Sequence, residues 1–387
     1  MDQIVRKRKS ETPDIAAMLR EYQSVALVLQ GGGALGAYQA GVFQALKEAG
    51  VEANWLSGVS IGAINATIIA GNKPGDQLDR LRDFWETVSA RKVWHFNPEG
   101  DFFRRLRNQM SSMMTMNSGL PGFFKPRDMN PWLNLPGADG ATSFYDTGEL
   151  EHTLDRLVDW RIVNDGERRL SVGAVNVRTG NFRYFDSAIE VIGPKHVMAS
   201  GALPPAFPSI QIENEFYWDG GIVSNTPLQY LLEQEEVHDT LVFQVDLFSA
   251  RGILPRDMPD VLARHKDIMY SSRTRNNTDT FRRMHNMRLK LHKALMRVPP
   301  EALTADDKIF LASMEDVPQI NILHLIYQQK IYESDAKDYE FSGTSMREHW
   351  DSGYQDTRKT LRNRAWLVKP PETIGMTVHD VHRDDPS

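Results

Sequence analysis

The sequence predicts an α/β fold with a mainly parallel central sheet covered on both faces, followed by a helical C-terminal extension. Three observations predict it. The chain opens with two successive units of strand, glycine turn and helix, and such units generate parallel strands joined by helical crossovers. Its first candidate strand, Ser24 to Gln30, is a short, continuous apolar run with β-branched residues, the pattern of a strand buried on both faces. Beyond about residue 255 the apolar runs give way to charged, helix-forming sequence.

Taken in order, residues 1–21 form a polar leader. Its basic stretch Arg6 to Lys9 is followed by polar residues Ser10 to Asp14, where a signal peptide would carry an apolar core. Ser24 to Gln30 (SVALVLQ) is the first buried strand, ended by glycines, and Ala37 to Ala49 repeats apolar residues at helical spacing until Gly50 stops it. The second unit has an extended stretch at Trp55 and Leu56, a tight turn at Gly58 to Gly62, and a helix through Ala70 that Gly71 and Pro74 end.

Between 92 and 145 the prolines at 98, 121, 126, 131 and 136 break any long element, while Phe102, Phe103, Met110, Met113, Met114, Met116, Phe123 and Phe124 supply apolar mass. This stretch is an insertion, either a lid lining an acyl pocket or a packed loop. Regular structure resumes with a helix at Glu149 to Leu157, a hairpin built from LSVGAVNV and FRYFDS, and a strand at Leu241 to Phe248. The resulting division is a leader at 1–21, a main domain at 22–250, a mainly helical region at 251–369 and a flexible tail at 370–387.

Composition narrows the function. A chain of 387 residues with 41% hydrophobic content is long enough for a large core. Its formal charge of -6 offers no general attraction to nucleic acid. The absence of cysteine excludes disulfides and thiolate metal sites. The longest apolar stretch, Ile61 to Ala70, falls short of the roughly 20 residues that cross a bilayer. The expected setting is therefore cytoplasmic, at most peripheral to a membrane, and nothing in the sequence sets an oligomeric state.

Chemistry concentrates in three places. Gly58-Val59-Ser60-Ile61-Gly62 is a G-x-S-x-G turn between an extended segment and an apolar helix, which exposes a serine hydroxyl above a sheet. About 25 residues upstream, Gly31-Gly32-Gly33-Ala34-Leu35-Gly36 can turn backbone N–H groups toward one point, as a developing oxyanion requires. The same glycines, Gly31, Gly33 and Gly36, also fit a dinucleotide fingerprint with Glu52 as the acidic partner. Glu52, however, falls at the start of the next strand rather than its end, and that reading leaves Ser60 unexplained. The third place is Asp219-Gly220-Gly221, which alone is a good turn.

In order and spacing the three motifs resemble those of the patatin-like phospholipases, over about residues 22 to 250. The resemblance implies a three-layer patatin-like fold and a lipolytic esterase that needs no cofactor and no metal. It assigns Ser60 as nucleophile, Asp219 as the base of a Ser-Asp dyad, and Gly31, Gly32 and Gly33 as the oxyanion-hole loop, with Gly36, Gly58, Gly62, Gly220 and Gly221 supporting the motifs. Ala199 to Pro208 also resembles the family's segment before the aspartate strand. Leu35 departs from the pattern, since the family commonly carries Arg or Lys there. Lys337 to Leu361 resembles a C-terminal region of some bacterial members. No D-x-D-x-D-G calcium loop is present, in line with calcium independence.

Other readings are a Ser-His-Asp triad using His196 or His238, neither of which sits in a motif, a catalytically silent scaffold, and a nucleotide-binding oxidoreductase. The substrate would be a lipid or another acyl ester, whether glycerophospholipid, lysophospholipid, neutral lipid or short hydroxyacyl ester. At 281–298, Met284, Met287, Leu291, Leu295 and Val298 share a helical face beside Arg282, Arg283, Arg288, Lys290, Lys293 and Arg297. That helix either rests on an anionic membrane or packs its apolar face on the domain.

Overall fold

The computed structural model describes residues 14–89, 100–138, 140–234, 238–314, 318–330, 332–371 and 374–380. Residues 1–13 of the expected leader lie outside them; the remainder begins with helix α1 (Ile15–Leu19), which docks through Ile15 and Met18, an i, i+3 apolar pair. The two expected units follow as β1 (Ser24–Leu29), α2 (Ala37–Glu48), β2 (Trp55–Val59) and α3 (Ile61–Ala70). Next comes α4 (Gln77–Val88).

The insertion differs from expectation. It contains an 18-residue helix, α5 (Asp101–Ser118), because the stretch between Pro98 and Pro121 has no proline to interrupt it. Pro98 itself lies outside the described residues. After α5, β3 (Lys125–Pro126) and β4 (Tyr145–Asp146) make a small antiparallel ladder.

Helices α6 (Gly148–Leu157) and α7 (Trp160–Val163) lead into the expected hairpin, β5 (Arg169–Asn176) and β6 (Phe182–Asp186). Then come α8 (Pro194–Ser200), a second hairpin of β7 (Ile210–Ile212) and β8 (Glu215–Asp219), α9 (Leu228–Leu232) and β9 (Thr240–Asp246).

The C-terminal region is helical in α10 (Met258–Leu295), α11 (Ala305–Ala312) and α12 (Gly343–Arg362). It also extends the main sheet: β10 (Ile320–Ile326) pairs with β9, and β11 (Met376–Asp380) pairs with β10. Residues 376–380, expected within a flexible tail, are thus an ordered edge strand, and 381–387 lie outside the described residues. The tail's polar composition hid a five-residue strand that needs only a neighbour to pair with.

The sheet order is β11-β10-β9-β1-β2-β5-β8-β7, with β6 also on β5. From β11 to β5 all pairs are parallel, and β6 and β8 run antiparallel to β5. Strand alternation divides the core in two. Val25, Leu27 and Leu29 of β1 join the large cluster shared with α2 and α3, whereas Ala26 and Val28 face a smaller one with Leu228, Leu231 and Leu232 of α9.

Helix α12 is seated on α2 by close backbone approach at Gly41 and Gly353. A Cβ at either would overlap a main-chain carbonyl of the other helix, that of Trp350 or of Tyr38. Gly353→Val is expected to destabilise the protein by about 3 kcal/mol, read as a lower urea midpoint; an unchanged midpoint would mean that the two helices can part without cost.

Within α10 the structure selects neither face named from sequence as its packing surface. His285 and Leu289 are buried, and Met284, Met287 and Leu291 stay exposed. No helix among the described residues is long and apolar enough to cross a membrane.

Candidate active site

Ser60 sits where β2 turns into α3, at φ 56°, ψ -126°. A non-glycine residue with positive φ costs on the order of 1–3 kcal/mol and persists only when its surroundings impose it. Here the Ser60 N–H donates to Ser200 Oγ (3.0 Å), and the Ser200 hydroxyl donates to the Gly173 carbonyl on β5 (2.6 Å). The Ser60 carbonyl accepts the N–H groups of Ala63 and Ile64, fixing the first turn of α3. Gly58 and Gly62 are needed for closeness, since a Cβ on Gly58 would strike the Gly62 carbonyl and one on Gly62 the Leu29 carbonyl.

Strand β5 brings Asp219 to this turn. Val59 is registered with Gly173 and Asp219 with Ala174, so the ends of β2 and β8 meet over adjacent residues of one strand. Asp219 is buried, and loss of hydration pushes its carboxyl up to about 6. Hydrogen bonding from the Ser60 side chain and the Gly221 N–H opposes that rise. The Gly221 N–H donates to Asp219 Oδ1 at 2.7 Å.

The glycine loop faces the same point. Asn225 clamps it, donating through Nδ2 to the Gly31 carbonyl (3.0 Å) and accepting the Gly31 N–H on its own carbonyl (3.2 Å). Gly33 has φ +55°, and a Cβ there would overlap the Asp338 carbonyl, which also accepts the Ala34 N–H (2.9 Å). The N–H groups of Gly32 and Gly33 have no acceptor among the described residues. Leu35 is fully buried, a place where a basic side chain would lose its hydration.

The remaining candidates lie elsewhere. His196 packs its ring on Phe185 and caps α8 through Gly193, and His238 is exposed ahead of β9. Neither lines the cavity around Ser60. Glu52 is exposed before β2 begins.

Residues 27–232, more than half of the chain, match the family described as patatin-like phospholipase. The chain belongs to the patatin-like phospholipase family. Residues 268–373 match a second family, DUF3734, described as patatin phospholipase. A lysophospholipase nte1 of Aspergillus terreus is 52% identical over 48 residues, which are 12% of this chain and 3% of that protein's length. The structure of VipD from Legionella pneumophila aligns over 88% of this chain and 67% of its own, at 18% identity and a TM-score of 0.39.

In this patatin-like phospholipase, Ser60, Asp219 and Gly31 to Gly33 form the polar end of a cavity of about 240 Å³. The rest is largely apolar. Phe123, Phe124, Tyr145 and Phe207 pack edge-on or tilted against one another, with Phe124 and Phe207 ring centres 5.1 Å apart. The insertion thus supplies wall residues, with Phe123 and Phe124 buried, while Met110, Met113 and Met114 remain outside.

Four further wall residues come from the C-terminal region: Tyr270, Asp338, Tyr339 and Phe341. Tyr270 is on α10, and two ion pairs hold the segment of the other three against that helix, Lys266 with Asp338 (2.7 Å) and Lys337 with Asp267 (2.6 Å). Phe341 stacks on Trp85. Sequence reasoning missed these four, along with Ser200 and Asn225 as supports of the serine turn and the glycine loop. The signals were two family-like stretches, the one starting at Lys337, which carries three of the wall residues, and Ala199 to Pro208, which holds Ser200.

Proposed function

We propose that the chain is a metal-independent serine acyl-hydrolase that cleaves acyl esters of lipids, with Ser60 as nucleophile and Asp219 as base. The observation that carries this reading is a strained serine facing a buried carboxyl at the polar end of an apolar cavity. Ser60 Oγ attacks the ester carbonyl carbon as its proton passes to Asp219. The N–H groups of Gly32 and Gly33 receive the oxyanion, and Gly31, clamped by Asn225, holds the loop in place. Asp219 then protonates the departing alkoxide, leaving an acyl group on Ser60. Water attacks that ester while Asp219 takes its proton, and the acid leaves as Ser60 is restored. A carboxyl with a pKa near 6 suits the base, because it is ionised at neutral pH yet far more basic than an exposed aspartate.

The apolar walls favour acyl chains, and the family favours lipids, among which lysophospholipids are named for the nte1 relative. The test is covalent labelling with a fluorophosphonate, the adduct being located by mass spectrometry. The expected result is one adduct on Ser60, absent from Ser60→Ala. A folded protein that takes no label would instead favour a catalytically silent scaffold.

A further inference from the structure

Helix α5 is amphipathic the wrong way round. Its buried stripe is polar, comprising Asn108, Ser111, Ser112 and Thr115, and its exposed stripe is apolar, comprising Leu106, Met110, Met113 and Met114. A helix that merely covers a water-soluble body arranges these faces in the opposite sense. The inner polar face is accommodated locally, the Ser112 hydroxyl donating to the Asn108 carbonyl at 2.9 Å. The outer face leaves Met113 59% exposed.

The position of this stripe gives it a meaning. Thr115 and Met116, in the last turns of α5, are cavity walls, and Met116 is itself half-exposed, so apolar surface continues from the stripe into the cavity. The region that carries the 128–135 loop meets the end of α5, where the Tyr145 hydroxyl donates to the Met116 carbonyl (2.8 Å), and the loop exposes Met129, Trp132, Leu133 and Leu135, with Trp132 85% exposed. That loop is closed at its base by Arg127 N–H to the Phe144 carbonyl (3.1 Å). Phe144 and Tyr145 then donate their N–H groups to the carbonyls of Pro205 and Ala206, the latter a wall residue. Exposed apolar residues gathered on two elements that both reach the cavity wall mark an interaction site, unlike scattered single residues.

We propose that the exposed stripe of α5, together with the 129–135 loop, seats on a lipid surface and turns the mouth of the cavity toward it. A second copy of the chain is the poorer occupant, because a protein seated on this rim would close the mouth to substrate, whereas a lipid surface supplies substrate through it. Methionine suits a fluid surface through its flexible side chain, and tryptophan suits the boundary between headgroup and hydrocarbon. The basic residues at the start of α5 are paired, Arg104 with Glu348 and Arg105 with Asp257 and Asp260. Attachment by this face is therefore apolar, and it differs from attachment by the basic stretch at 281–298, which would need anionic lipid.

The proposal rests on the hydrolase reading for the direction of substrate entry, but its test does not need turnover. The full-length Ser60→Ala protein is sedimented with phosphatidylcholine vesicles, with and without phosphatidylglycerol, at about 0.15 M salt. Adding Met110→Glu and Met113→Glu is expected to weaken binding to both vesicle types at least tenfold. In the Ser60 protein the same pair should lower hydrolysis of vesicle lipid by a similar factor and leave hydrolysis of monomeric p-nitrophenyl butyrate unchanged. Vesicle binding untouched by the two glutamates would overturn the proposal. So would loss confined to anionic vesicles and to Arg283→Glu with Arg288→Glu, or a dimer that the two glutamates dissociate. If neither ester is cleaved yet the glutamates abolish vesicle binding, the docking face stands and the catalytic reading falls.

Discussion

Asp219→Asn is expected to lower ester hydrolysis roughly 10²–10⁴-fold, the usual contribution of a general base, while making the protein more stable at pH 8. Both effects come from burying one carboxyl. Its pKa rises from an ordinary 3.8 to about 6 in the folded chain, so the folded state binds the proton more tightly than the unfolded state does. Below pH 4 both states are protonated and burial exacts no ionic penalty. As pH rises through 4 to 6 the unfolded chain ionises first, and stability falls; above 6 the penalty is complete, at about 3 kcal/mol for two pKa units. Asparagine removes the charge, and its side-chain oxygen can still accept the Gly221 N–H. The unfolding midpoint of Asp219→Asn should exceed that of the parent at pH 8 and converge with it near pH 4. A parallel offset at both pH values would show that the carboxyl is not strained by burial. For the parent, kcat/KM should fall about tenfold per pH unit below 6, since only the ionised carboxylate can accept the Ser60 proton.

Gly33→Val is expected to lower kcat by 10²-fold or more, the scale of losing an oxyanion donor. Two causes act together. The φ of +55° is unfavourable for a β-branched residue, and the new Cβ would overlap the Asp338 carbonyl, which also holds Ala34. The loop can relieve the clash only by moving the N–H groups of Gly32 and Gly33 away from Ser60. Labelling by a fluorophosphonate, which forms its own tetrahedral oxyanion, should slow in parallel. Unaltered turnover in a folded Gly33→Val protein would remove this loop from the reaction.

Much of the fold was legible in the sequence because its signals are local. The runs SVALVLQ and LVFQVDLF, the glycine stops and the LSVGAVNV–FRYFDS hairpin each act over a few residues, and each appears near its expected bounds. Prolines misled where their spacing mattered more than their number, in α5. Strand β11 was missed because a short polar strand is defined by the partner it pairs with, here β10.

By itself, then, the sequence determined the α/β class, the first two strand-turn-helix units and the positions of Ser60, Asp219 and the glycine loop, since each rests on residues adjacent along the chain. Only the tertiary structure decided that β5 aligns the ends of β2 and β8, that Ser200 and Asn225 brace the turn and the loop, and that Tyr270, Asp338, Tyr339 and Phe341 close the cavity. It also decided which face of α5 meets water. These depend on contacts between residues up to about 300 positions apart, and a pattern read along one chain carries no term for such distances.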